Sequence, residues 1–136
     1  MILTNNMKLR EHPETVWVDG DQSDVLVTAR DLIHKGHRLL TSPLAASGRM
    51  HFSPVRSIVL TDETTANDEA SILAIENGIT QHQTTISMHA VDYRNLGGYE
   101  IIDYELLKQA LNEIDELEAR YELLGGNQFE TGKTQR

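Results

Sequence analysis

The chain contains no cysteine. That excludes disulfides, a thiolate nucleophile and thiolate metal ligands. Nor is there an apolar run near the roughly 20 residues that a membrane-spanning helix requires, so no membrane association is expected. The opening residues MILTNN run into polar sequence without a basic region and a long apolar core, so no signal peptide is expected and a cytoplasmic protein is. Positive charge is scarce: 12 Lys and Arg face 21 Asp and Glu, giving a net charge of −9 and a pI near 5.0. Broad nucleic-acid binding needs a basic face to displace counterions from phosphates, so no nucleic-acid partner is expected. The phosphate-binding patterns GxxxxGK[ST] and GxGxxG are absent, as is a GxSxG nucleophile elbow, which excludes the usual nucleotide enzymes and esterase-type triads. No internal repeat is apparent.

What is present suits a globular domain. The 136 residues are 39% hydrophobic and 24% charged, enough for one domain with one core. The central stretch is GHRLLTSPLAASGRMHFSPVRSIVL, residues 36–60. Its two apolar runs, Leu39-Leu40 and Ile58-Val59-Leu60, are separated by a segment that no regular element crosses, because Pro43 and Pro54 lack a backbone N–H and disfavour helix before them. Small residues between the prolines allow close approach of a ligand, and Arg49, His51 and Arg56 place positive charge beside them. The pattern reads as a binding loop hung on two buried strands.

In chain order, Ile2-Leu3 reads as a short strand ending in Thr4-Asn5-Asn6, and Val16-Trp17-Val18 as a second strand. Ser23 is the expected cap of a helix over 23–35 that buries Val25, Leu26, Ala29, Leu32 and Ile33 and ends at Gly36. With a strand at 38–41 this makes a βαβ unit, and the unbroken apolar runs suggest parallel strands covered on both faces. Leu32, Ile33, Leu39, Leu40, Ile58 and Leu60 should share one core. Thr65 and Asp68 fit a capping box for a second helix that is secure to Asn77 and extends toward Ser87. A loop over 88–98, a short strand at 99–102 and a long helix capped by Asp103 follow. The expected fold is a single α/β domain over 1–124 with a mainly parallel open sheet of about four to five strands, flanking helices, a long C-terminal helix and a disordered tail at 125–136.

Ligands of open α/β sheets sit beyond the carboxyl ends of the strands. The candidate ligand-binding residues are therefore Thr4, Asn5, Asn6, Asp19, Thr41, Ser42 and Asp62 at strand ends, with Ser47, Gly48, Arg49 and Arg56 from the central loop. Their chemistry suits a small polar or anionic molecule, although Asn and Asp also end strands simply by forming Asx turns. His34, His37 and His51 could in principle converge on zinc, but Gly36 interrupts the first pair, so no metal and no cofactor are expected. A catalytic residue is not identifiable. The alternative to a binding protein is a small enzyme or an anion- or nucleotide-binding protein that uses the 42–56 loop and the strand-end acids. In the last helix Leu107, Ala110, Ile114, Leu117, Tyr121 and Leu124 recur three and four apart. A seam of that length exceeds what a small sheet covers, so a homodimer or a protein partner is expected through the 103–124 helix. Glu113, Asp115, Glu116, Glu118 and Glu122 disfavour close parallel pairing of two copies.

Three segments, ILTNN near the start, RDLIHKGHRLLTSPL at 30–44 and SPVRSIVLTD at 53–62, resemble the GrdX family. Those small proteins are encoded with the glycine, sarcosine and betaine reductase complexes of amino-acid-fermenting bacteria. Ser42 stands where the family pattern has a histidine, and Ser47-Gly48 where it has Gly-Ser. The resemblance implies a context beside a thiol-dependent reductase system and supplies no catalytic residues. Without cysteine, this chain cannot itself be the redox carrier.

Overall fold

The computed structural model describes residues 1–45 and 48–124. Three short strands form the sheet: β1 (Ile2–Thr4), β2 (Thr15–Trp17) and β3 (Ser57–Val59), in the order β2-β1-β3. β2 runs parallel to β1, pairing Leu3 with Val16, whereas β3 runs antiparallel, pairing Leu3 with Ile58. The sheet is mixed and has three strands, not the four to five mainly parallel strands expected.

The expected strand at 38–41 is reduced to one antiparallel bridge between Leu39 and Leu60. It lies beside β3, at the opposite edge of the sheet from β2, so residues 16–41 do not form a simple βαβ unit of neighbouring strands. The ladder stops for a local reason. The Thr41 hydroxyl oxygen accepts the Val59 N–H at 3.0 Å in place of a backbone carbonyl, and Pro43 follows two residues later. Leu40 consequently turns outward at 45% exposure, contrary to its expected place in the core, while Ile33, Ile58 and Leu60 are fully buried and Leu32 and Leu39 pack against them.

Three helices complete the fold: α1 (Gln22–His34), α2 (Glu69–Met88) and α3 (Leu96–Leu123). The cap of α1 is Asp21 rather than Ser23; its carboxylate accepts the Ser23 and Asp24 N–H groups, and the Asp24 carboxylate accepts the Asp21 N–H. At the other end Gly36, with φ +111°, donates to the Ile33 carbonyl and His37 donates to that of Leu32. This is the double bond of a Schellman stop, for which glycine's freedom at positive φ is needed. α2 begins at Asp68, whose side chain accepts from the Ser71 N–H and hydroxyl, and it continues to Met88 despite Gly78.

The expected strand over 99–102 and the cap at Asp103 are both replaced by helix. α3 starts at Leu96, and Tyr99, Asp103 and Leu107, four apart, form its buried stripe. Ile101 and Ile102 have strand-like character locally, yet a helix bearing that stripe buries more than an isolated strand of four residues could.

α1 and α2 cover one face of the sheet over Leu3, Ile58 and Leu60, with Val25, Ile33 and Ile75 among the helical contributors. α3 covers the other face over Ile2 and Val59, with Leu9 and Leu107. The order is thus helix, sheet, helix. The unbroken run Ile58-Val59-Leu60 reports this two-sided cover and not strand direction. No helix among the described residues is long and apolar enough to cross a membrane. The segment 125–136 lies outside the described residues.

Candidate functional site

The chain leaves β1 through two buried asparagines. Asn5 donates to the Gly20 and Pro54 carbonyls at 2.9 Å each and accepts the Arg56 N–H at 2.9 Å, so it ties the turn after β2 to the end of the central loop. Asn6 is fully buried and donates to the Glu100 carbonyl and to Asp103 Oδ2, both at 2.9 Å. Asp103 Oδ2 also accepts the Ser57 hydroxyl at 2.6 Å. Because that hydroxyl proton is committed to Asp103, Thr4 donates in its 2.7 Å contact with Ser57, and Thr4 in turn accepts the Asn6 N–H. The carboxylate is therefore held on α3 by a chain of neutral donors that starts in β1.

Beside this network lies Arg56, 7% exposed. Its Nε donates to the Pro43 carbonyl at 3.1 Å and its Nη2 to the Ser42 carbonyl at 3.2 Å. Burial pushes the guanidinium below its ordinary pKa, and the negative charge of Asp103 opposes that shift. Neither Arg56 nor Asp103 enters an ion pair within 4.0 Å among the described residues.

Both side chains line a groove of about 470 Å³ between α3 and residues 40–44. Its polar floor carries Thr41, Ser42 and Ser57 beside the two charges; Leu106, Leu107, Ala110, Ile114 and Leu117 from α3 form an apolar wall. A second cavity, about 310 Å³, lies across Leu40 and Ile114 and holds Arg38, Asp62, Glu63 and Glu118 in its walls.

The sequence candidates are divided among several places. Thr41, Ser42 and Arg56 line the larger groove. Thr4, Asn5 and Asn6 are buried behind it and hold its floor by hydrogen bonds. Asp62 is in the smaller cavity and pairs with the N-terminal ammonium group at 2.8 Å. Asp19 accepts from the Trp17 indole at 2.9 Å, and Arg49 is exposed with its charge near Tyr99; neither lines either cavity. Gly48 sits in a short turn over Gly48–Phe52, and Ser47 lies outside the described residues. Among the described residues no group of three or more His, Asp or Glu side chains is placed to hold a metal ion.

The sequence reading gives Ser57 no role, takes Asp103 only as a helix cap, and assigns most of the apolar wall to a seam for a second copy or a protein partner. Asp103 carried a usable signal: on a helix it falls between Tyr99 and Leu107 at four-residue spacing, which places an acid on the buried stripe.

These features define a three-layer α/β domain with a ligand-sized groove between its last helix and the sheet edge. Over residues 1–112 the chain matches the model of the GrdX-like proteins, and it belongs to that family. No curated protein and no solved structure matches it. Family membership implies association with glycine reductase systems.

Proposed function

We propose that the protein is a non-catalytic accessory domain that binds a small polar or anionic metabolite in the groove under α3, in the service of a glycine-type amino-acid reductase system. The observation that carries this reading is Arg56, a buried cation on the groove floor whose acceptors are neutral carbonyls. A charge taken out of water is costly unless a counter-charge or several hydrogen bonds replace the lost solvation. A ligand entering the groove can supply that counter-charge. The volume lies within the range of small-molecule sites, about 300–1,000 Å³. Within the proposal, Thr41, Ser42 and Arg56 are the contact residues from the central loop; Asn5 fixes the backbone of Arg56, and Thr4 and Asn6 hold Ser57 and Asp103 beside it. The far end of α3, with Leu117 at 61% and Leu124 at 77% exposure, is the surface for a second copy or another protein.

An NMR titration of the full chain with short carboxylates, inorganic phosphate and amino acids tests the groove. Binding should shift the amides of Thr41, Ser42, Ser57 and Ala110, and Ala110→Phe, which fills the groove from a half-buried helix position, should abolish the shifts without unfolding the protein. If no compound moves these amides, or if Ala110→Phe leaves the shifts intact, the reading is wrong.

A further inference from the structure

Resting on that reading of the groove, we infer that its ligand is an α-amino acid with an apolar side chain, its carboxylate held by Arg56 and its ammonium group by Asp103. The groove floor holds one buried charge of each sign: Arg56 is 7% and Asp103 4% exposed, and both line the same space. They are close enough for the Asp103 charge to act on the guanidinium, yet they do not pair within 4.0 Å.

Each charge is instead held apart by neutral groups. Arg56 is held by the Ser42 and Pro43 carbonyls, and Asp103 by Asn6 and Ser57, which both donate to Oδ2. Such a floor is a preorganised dipole. A simple anion would satisfy Arg56 while adding repulsion at Asp103, and a simple cation would do the reverse. A zwitterion answers both charges and brings no net charge into the site. The planar guanidinium also matches the two oxygens of a carboxylate.

The wall extends the assignment beyond the charged ends. Leu106, Leu107, Ala110, Ile114 and Leu117 offer a mainly apolar surface beside the floor, with the exposed Gln109 and Glu113 of the same helix also on the lining. An amino acid without a side chain would leave that surface wet, whereas an aliphatic one buries it. The protein's net charge of −9 further disfavours a multiply charged anion such as phosphate in the same space.

Isothermal titration of the full-length chain decides the matter with four probes: L-leucine, its amide, its deaminated analogue 4-methylpentanoate, and glycine. Leucine should bind, and each of the other three should bind at least tenfold more weakly. Asp103→Asn, in a preparation whose melting transition is retained, should lose leucine and keep 4-methylpentanoate. If that variant does not fold, the comparison of the four probes on the unaltered protein still decides. Equal affinity for leucine and 4-methylpentanoate would overturn the zwitterion assignment and leave an anion site. Groove amides that respond to phosphate but not to leucine would also overturn it while the groove remains a binding site. If no probe of any kind moves them, the function proposed above falls and takes this assignment with it.

Discussion

His82, on α2, is 3% exposed, and neither of its ring nitrogens has a hydrogen-bond partner among the described residues. Burial pushes its pKa below the ordinary histidine value; the carboxylate of Asp21 opposes the shift, and His51 and Arg56 add to it. In the unfolded chain the imidazole titrates near about 6.5. The folded state therefore binds fewer protons than the unfolded state as the pH falls below that value. Stability from this group is fully present above about pH 6.5 and is lost as the pH drops from there toward the lowered folded pKa. The loss cannot exceed about 1.4 kcal/mol per pH unit for one proton.

Replacing the ring by an apolar side chain, His82→Leu, removes both effects. At pH 8 the variant sheds an unsatisfied polar group whose desolvation costs about 1–3 kcal/mol. The change of shape costs about 1.5 kcal/mol or less in return. The variant should thus be near the wild type or more stable. Between pH 6.5 and 5.5 the difference should move further in favour of the variant, by up to about 1.4 kcal/mol. Urea unfolding of both proteins at pH 8, 6.5 and 5.5 measures it, and taking the difference cancels the titration of the other five histidines. A gap that stays constant within about 0.3 kcal/mol over this range, the usual scatter of such comparisons, would refute the argument.

Other perturbations test the fold and the assembly. Leu60→Ala, at a position with 0% exposure, should cost about 2–5 kcal/mol in chemical unfolding, while Leu40→Ala, at 45% exposure, should cost less than about 1 kcal/mol. Comparable losses at the two sites would contradict the outward turn of residue 40. Asp21→Ala removes both capping bonds at the start of α1 and should destabilise by about 0.5–2 kcal/mol, whereas Ser23→Ala should change stability by no more than about 0.5 kcal/mol. Self-association through α3 is read by sedimentation equilibrium at micromolar concentration. A dimer that dissociates on combining Leu117→Lys with Leu124→Lys is the expected result, and a monomer unchanged by the pair would refute it.

The sequence by itself determined the local events whose causes are local. Gly36 ended α1 because the left-handed stop needs a residue without a Cβ. The apolar face Val25, Leu26, Ala29 and Ile33 was readable from its spacing, as was the burial of Ile58 and Leu60. The class of α/β protein followed from these; Thr41 and Ser42 were marked as candidates by their place at the end of the apolar run Leu39-Leu40, and Arg56 by its charge in the central loop. Strand direction was not readable, because a continuous apolar run requires only cover on both faces, and α3 supplies the second cover for an antiparallel strand as well as for a parallel one. The cap of α1 was misplaced by two residues because Asp21 and Ser23 are both good caps, and the reciprocal bond from Asp24 selects the former. The reach of α3 back to Leu96 was hidden by Ile101-Ile102, whose local preference yields to a stripe that docks Leu107 on Ile2 and Val59 and Tyr99 on Met50 and Val55. Above all, Asp103 and Arg56 are 47 residues apart, 103 − 56, and no periodicity links them. Only the packing of α3 across the sheet places both charges on one groove floor, because tertiary contacts alone bring together residues so far apart in the chain.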